Sequence, residues 1–486
     1  MRARYDAYLT VYLSLIFGIV LSLLFVLIEG AAIGALRAQA EIVADLGLDS
    51  VFAEYNREIL DQYDLFFVDS SYGGTNGGTG MVERHLSDHM SYNMTPDKGL
   101  EMPFEHNLLK LQNPYLEILE VSCASDDGCA VWKAQAVNYM KAVYGGDLIS
   151  TVQEHMDTVK RNGLTERDAA GEVARQKQEL EEALKDKGIV EFGAESEEGY
   201  SYQKVSNAFD KAVGGGILAL VFPDGDSVSG AVMDPGPYFS ARKKNNTINR
   251  GIGLHEGIDR PDGIMDELIY GEYLMKKCGN HMKPKDTGLL KYQIEYILYG
   301  LNSDAGNLRR NVEVLFALRS AANLTSICMD SAKQSQAEMA ATVICALLLS
   351  PELTDLMKAI ILGVWALLET VSDMRQLMAG GRVPVMKESG DWSTNIIDLF
   401  TFNISGGGSD QASGLSYQDY LRVFLGLMDR DTKAARSLDI VEMDIRQTAG
   451  NAGFRIDRCI DYMKVSFGFA DADGHDFVLN KKMCYE

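Results

Sequence analysis

The chain has 486 residues, 46% of them hydrophobic and 24% charged, with only 10 prolines. This globular composition excludes a disordered polymer or a proline-rich stalk. Acidic side chains outnumber basic ones by 69 to 46, and a net charge of −23 repels phosphate backbones, so no nucleic-acid partner is expected.

The strongest signal comes first in the chain. Asp6 and Glu29 bracket an uncharged run from Ala7 to Ile28, which at ~1.5 Å per residue covers roughly 33 Å as helix, enough to cross a hydrocarbon core. Arg2 and Arg4 precede the run, whereas Glu29, Glu41, Asp45 and Asp49 surround Arg37 beyond it. The positive-inside tendency predicts a single-pass protein of the cell membrane. Residues 1–6 form a cytoplasmic tail, 7–28 meet the lipid bilayer as a transmembrane helix, and the C-terminal bulk is extracytoplasmic. A cleaved signal peptide is the competing reading, with Ala38-Gln39-Ala40 as its small-residue site. A cleavable apolar core is about 7 to 15 residues, however, and this one is longer and ends well before that site. The next most apolar stretch, Met339 to Pro351, is too short to span and reads as a buried helix.

From Glu29 to Leu60 there is no proline, and Ile33, Leu36, Ala40, Val43, Leu46 and Val51 recur at helical spacing. This predicts one helix from near Ala7 to near Leu60. Tyr63 to Val68 reads as a strand, ended by Asp69-Ser70-Ser71 and the glycine-rich turn Gly73 to Gly80. Further strands are expected at Tyr115 to Val121, Ile456 to Phe469 and Phe477 to Met483, the last two joined at Asp471-Ala472-Asp473-Gly474. The predicted fold class is therefore α+β and helix-rich. One long helix and a small antiparallel sheet make a pilin-like core from residues 29–125 and the hairpin 451–486. A mainly helical insertion fills 126–450, with a loop-rich sub-boundary at 223–263.

Within the insertion, Trp132, Val137 and Met140 share one helical face, and Leu308, Val312, Leu315 and Ala322 another, with Ser303 or Asp304 as its N-cap. Ser350-Pro351-Glu352 opens a helix whose apolar residues run from Leu353 to Met374 until Gly380-Gly381 stops it. Ser416 and Asp419 form a capping-box start. Thr165 to Lys187 is dense in both charges and reads as a solvated helix or a mobile arm.

Five blocks carry a resemblance. YLTVYLSLIFGIVLSLLFVLIEGA (8–31) followed by LDSVFAEYNREILDQYDLFFVD (48–69) resembles the opening of an uncharacterised family of membrane-anchored proteins of Gram-positive anaerobes, a domain of unknown function. The likeness returns at IEYILYGLNSDAGNL (294–308), WALLETVSDMRQLMAGGRVPVMKESGDW (365–392) and GLSYQDYLRVFLGLMDRDTKAARSLDIVEMDIRQ (414–447). The resemblance implies an envelope location and partners among tight-adherence (Tad, or Flp) pilus-assembly or type II secretion-like proteins. It supplies no catalytic residue. A type IV prepilin carries a Gly just before its apolar segment and a Glu about five residues inside it. Here Glu29 stands at the far end, so the likeness is to a pseudopilin-like or TadE-class minor subunit rather than to a major fibre subunit.

The chemical candidates are few. His85 and His89 stand at i and i+4 with Asp88 between them, resembling the H-x-x-E-H zinc pattern, with His106 or Glu105 as the nearest further ligands. An exposed polar helix explains the same residues, so no metal or other cofactor is expected. Gly251 to Gly257 departs from the dinucleotide fingerprint and reads as a loop. Asp471 to Gly474 resembles the tail of a calcium loop, but position twelve counted from Asp471 is Lys482, which cannot ligate a cation, so a turn is expected.

Seven cysteines are odd in number, so at least one has no partner within the chain. Cys123 and Cys129 flank a short loop that a bridge would close. The midpoint between Cys459 and Cys484 falls at the predicted hairpin turn, which puts these thiols nearly opposite each other or one register step apart, the alternative being two thiols on a frayed tail.

The resulting expectation is a structural or assembly subunit, not an enzyme. An envelope metal-dependent hydrolase and a surface binding module are the alternatives.

Overall fold

Helix α1 (Arg2–Phe52) runs for 51 residues in the computed structural model. The structure describes residues 2–75, 77–94, 111–144, 153–154, 156–157, 160, 168–189, 193–214, 216–222, 228–242, 248, 251–402, 414–470, 474 and 476–485. The side chains from Tyr8 to Ile28 are exposed. This part of α1 is long and apolar enough to cross a membrane, and a signal sequence has the same character.

Further along, α1 changes role. Leu36, Ala40, Val43, Ala44, Leu48, Val51 and Phe52 are buried, in three- and four-residue steps. Ile33 and Leu46, expected on this face, are exposed because the buried stripe runs through Ala44 and Gly47 to Leu48. The helix also stops short of Leu60. Asn56 accepts hydrogen bonds from the N–H groups of Glu58 and Ile59 and starts a separate helix, α2 (Arg57–Tyr63).

The strand expected over Tyr63 to Val68 is reduced to β1 (Val68–Asp69). Tyr63 is the last residue of α2, and Asp64 turns the chain with a left-handed φ of 56°. α3 (Gly80–Met94) then packs on α1, so closely at Gly47 that a Cβ there would stand 2.9 Å from Met90 Cγ.

Two compact units divide the chain, the first comprising Met1–Gln135, Lys243–Arg260 and Thr448–Glu486. Its sheet is antiparallel and centred on β3 (Cys459–Ala470). β2 (Gln112–Cys123) pairs along β3, from Gln112 opposite Ala470 to Cys123 opposite Ile460. β4 (Asp476–Cys484) completes the hairpin, and β1 pairs with the first two residues of β3. Ile118, Val121, Met463, Val465, Phe467, Phe469 and Leu479 of the sheet form one core with the buried faces of α1 and α3. Residues 251–260 return to this unit as the expected loop: Ile252 N–H donates to the Val121 carbonyl at 2.9 Å, and Arg260 pairs with Asp127 at 3.2 Å. Helix α4 (Asp126–Tyr144) begins with Asp127, Gly128 and Cys129 all at positive φ before it straightens.

The second unit, Ala136–Arg242 and Pro261–Gln447, is mainly helical. Its long members are α5 (Ala169–Asp186), α6 (Tyr202–Gly214), α7 (Ile264–Lys277), α8 (Asp304–Met329), α9 (Ser331–Leu347), α10 (Thr354–Met378), α11 (Tyr417–Leu427) and α12 (Arg430–Arg446). α10 is its axis. From Ile360 to Leu377 nearly every side chain is buried, because other helices pack on all sides of it.

α8 is also long and apolar enough to span a membrane, but 67% of its apolar window is buried within the unit. Ser303 caps α8, and Ser416 with Asp419 forms the expected capping box of α11. Ser350 makes no capping bond. Pro351 instead starts a single 3₁₀ turn that leads into α10. Of the two readings of Thr165 to Lys187, the described part is the helix: α5 leaves most of its side chains exposed or half-buried and buries one face at Ala169, Val173, Leu180 and Leu184, while 165–167 lie outside the described residues. Val173 sits so close to Gly363 of α10 that any Cβ at that position would collide with it.

Because the far half of α1 belongs to the core, a chain starting at Asp61 should aggregate while one starting at Gly30 stays soluble. The first lacks Leu36, Val43, Leu48, Val51 and Phe52, each worth about 1.5 to 3 kcal/mol of burial against a domain stability of about 5 to 15 kcal/mol. Size-exclusion chromatography and thermal melting compare the two, and equal behaviour would show that α1 is only a tether.

Candidate functional site

Glu54 lies in the turn that follows α1, and α3 presents His85 and His89 one helical turn apart. Its carboxylate bridges them: His85 Nδ1 is 3.0 Å from Oε2 and His89 Nε2 is 2.9 Å from Oε1. The Tyr72 hydroxyl donates to Oε2 at 2.7 Å, and the Tyr72 ring stacks on His85 with centroids 4.0 Å apart. Burial alone would favour the protonated carboxyl of Glu54. The hydrogen bonds from His89, Tyr72 and His85 outweigh it and hold Glu54 below the usual carboxylate range. Burial, reinforced by the bond to Glu54, pushes the Tyr72 hydroxyl up.

The expected i, i+4 histidine pair is therefore real as geometry, but it faces Glu54 and not Asp88, which is exposed. Glu105 and His106 lie outside the described residues. Among the described residues no group of three or more His, Cys, Asp or Glu side chains is arranged to hold a metal ion. What the cluster does is fasten α3 to the end of α1. Glu54 and Tyr72 carry no motif spacing to His85, since the chain reverses between them, so the pattern along the sequence could not reveal them.

All seven cysteines are thiols. The Cys459 to Cys484 pairing fails on register, because Cys484 stands opposite Tyr462 and Cys459 opposite Asp69. The hairpin turn is centred on residue 473, within its Asp-Ala-Asp-Gly signal but past the midpoint of Cys459 and Cys484. Its residues 471–473 lie outside the described residues, and Ala470 pairs with Asp476. A three-residue offset along a strand is about 10 Å, beyond the roughly 7 Å that a disulfide spans. Cys123 and Cys129 are both buried and make no bridge. Asp126 closes their loop instead, accepting from the Cys123 N–H at 3.0 Å. Burial and the neighbouring carboxylates push the Cys123 thiol up, away from nucleophilic chemistry.

The second unit buries an ion cluster. Glu369 and Asp373 stand one turn apart on α10. Asp373 pairs with Arg319 Nη2 at 2.8 Å and with Lys387 Nζ at 2.6 Å, and Lys387 also pairs with Glu369. Glu369 accepts from the N–H groups of Ser393 at 2.9 Å and Thr394 at 2.8 Å, while Arg319 donates to the carbonyls of Pro384 and Val385 at 2.7 and 2.9 Å. Two cations and two carboxylates balance, which makes complete burial tolerable. Although burial opposes its charge, Arg319 and Lys387 hold Asp373 below the usual range. The sequence carried a signal here, because Glu369 and Asp373 interrupt an apolar helix at i, i+4.

Also in the second unit, Glu295 accepts from the Tyr417 hydroxyl at 2.7 Å and the His281 N–H at 2.9 Å. Burial, only partly offset by these bonds, pushes its carboxyl up to about 7.

The geometry thus defines an α+β protein with an apolar N-terminal helix built into its sheet, and a second, helical unit organised by buried charge. The chain belongs to a family of unknown function, DUF5702, whose model matches residues 195–471. Three of the five sequence blocks quoted above fall inside that match. No curated protein and no solved structure matches the chain.

Replacing Asp373 by Asn leaves Arg319 and Lys387 facing one carboxylate. It should cost about 3 to 5 kcal/mol in urea unfolding of the full chain, and a loss under 1 kcal/mol would show that the cluster is not a stability element.

For Glu54 the folded value is depressed. Its contribution is full above the unfolded value of about 4.3 and is lost as pH falls through the lower folded value. Acid titration of E54Q followed by circular dichroism should therefore show a shallower loss of stability below pH 4.3 than the parent, together with a lower plateau above it.

Proposed function

We propose that this protein is a membrane-anchored extracytoplasmic subunit with a structural or assembly role in a Tad-like pilus or secretion apparatus. The observation that carries the reading is the continuity of α1. One helix holds an exposed apolar run at Tyr8 to Ile28 and, without a break, the buried face from Leu36 to Phe52 that packs on an antiparallel sheet. Pilin-type subunits share this layout, in which membrane attachment and fold are one element. Arg2 and Arg4 before the run and acidic residues after it support an N-in, C-out orientation. The five sequence blocks support partners among pilus-assembly proteins.

Cross-linking in native membranes, followed by capture of a tagged full-length chain, tests the proposal. Recovery of a pilus motor ATPase and its membrane platform proteins is the expected outcome. Capture of the chain alone with a stoichiometric metal would favour the metal-dependent hydrolase and overturn the assembly role. Orientation is read separately: protease added to intact protoplasts should digest the C-terminal bulk, and a C-terminal reporter active only in the cytoplasm would contradict it.

A further inference from the structure

Independent of the assembly reading, the end of α1 carries a second feature. Four aromatic rings meet there in a continuous wall. Phe52 lies 5.0 Å from Tyr485, Tyr485 stacks on Phe66 at 5.6 Å and 24°, and Tyr55 meets Phe66 edge-on at 5.1 Å. Together with Met483 and Asp49 they line an open cleft of about 360 Å³, within the size range of small-molecule sites.

The wall is held in place by hydrogen bonds. Tyr485 donates its hydroxyl to the Phe52 carbonyl and its N–H to the Asp461 carbonyl at 3.2 Å. The Gln135 side chain brackets Phe66, donating to its carbonyl at 2.9 Å and accepting from its N–H at 3.2 Å. Phe66 is nonetheless 37% exposed. An aromatic ring fixed at the surface forgoes burial, and such surfaces mark interaction sites.

Charge completes the site. Asp45 and Asp49 stand one turn apart on α1, and Asp45 pairs with Lys481 at 3.0 Å. The Asp49 carboxylate has no ion-pair or hydrogen-bond partner among the described residues. The cleft thus brings the aromatic rings of Tyr55, Phe66 and Tyr485, a residue type that attracts cations, beside the unpaired carboxylate of Asp49. A neutral apolar occupant would lie against the rings but give the Asp49 carboxylate no partner. A sugar would need several converging donors and acceptors, whereas among the described lining residues Asp49 is the one charged group. An alkylated ammonium satisfies both features, its methyl groups lying against the rings and its charge beside the carboxylate.

We propose that this cleft binds the quaternary ammonium head of a small soluble ligand. A lipid headgroup of the bilayer crossed by residues 7–28 does not fit, because Asp49 lies about 30 Å along α1 from Ile28.

The test uses the full chain in a maltoside detergent free of choline groups, with saturation-transfer NMR and calorimetry. Choline is compared with its neutral isostere 3,3-dimethylbutan-1-ol. Choline should bind about tenfold more tightly than the isostere. D49N should remove that preference, and F66A should weaken both ligands. Equal binding of the two by the parent chain, no detectable binding of choline, or choline binding unchanged in D49N would each overturn the proposal. Binding to phosphatidylcholine nanodiscs that free choline does not displace would reassign the site to lipid and overturn the soluble ligand. Melting temperatures check the variants. Asp49 is on an exposed helix surface, so D49N keeps the test decisive even if F66A fails to fold.

Discussion

Between Leu36 and Phe52, a single stripe of α1 supplies the apolar wall shared by α3 and by the sheet strands β2, β3 and β4. Burial of that stripe is the constraint on which the first unit depends, because α1 is otherwise exposed and the sheet would have one uncovered apolar face. Its end point matters as much as its face. Glu54 meets His85 and His89 only because the helix stops at Phe52, and the aromatic wall of Phe52, Tyr55, Phe66 and Tyr485 forms around the same stop. A helix continuing to Leu60 would carry Glu54 and Tyr55 on a rod, without the turn that brings them to their partners.

The parts legible in the sequence were those written in local pattern. The apolar run, the alternation in β2, the hairpin strands, the Ser416 capping box and the helical insertion all follow from periodicity and end signals within about 20 residues. What was missed depends on competition or on distance. Asn56 is a good N-cap, and its two backbone hydrogen bonds outcompeted the smooth helical periodicity on either side. Asp64 in a left-handed turn broke a plausible strand. The hairpin turn formed where its Asp-Gly signal stands, but its centre at residue 473 lies past the midpoint of the two cysteines, and the resulting three-residue offset separates Cys459 from Cys484. α5 looked solvated by composition, and most of its side chains are, yet Ala169, Val173, Leu180 and Leu184 bury one face, with Val173 against a glycine of its neighbour.

Candidate sites were less legible than the fold. The histidine pair was visible, but its partner Glu54 was not, since a tertiary contact has no spacing. The buried ions of the helical unit illustrate the same limit. Glu369 and Asp373 announce themselves by interrupting an apolar face, whereas Arg319 and Lys387 look like ordinary surface cations until the fold places them opposite. The neutral balance of that cluster is a property of four residues from three segments.

The order in which the chain can close its sheet follows from the placement of β3. Val68 pairs with Ile460 and Leu116 with Phe467, so β1 and β2 have no partner until nearly the whole sequence is present. Contacts of the helical unit, by contrast, are largely among residues 136–447. That unit has everything it needs before β3 exists, and non-local strand pairing is the slower step in any case. The sheet of the first unit is therefore the last part of the molecule to form. Until then, the apolar stripe of α1, made about 400 residues before β3, has α3 to pack on but not the paired sheet that completes its cover, and partly covered apolar surface of this kind favours aggregation. A protein built this way is vulnerable for most of its synthesis at the segment that later anchors the core of its first unit.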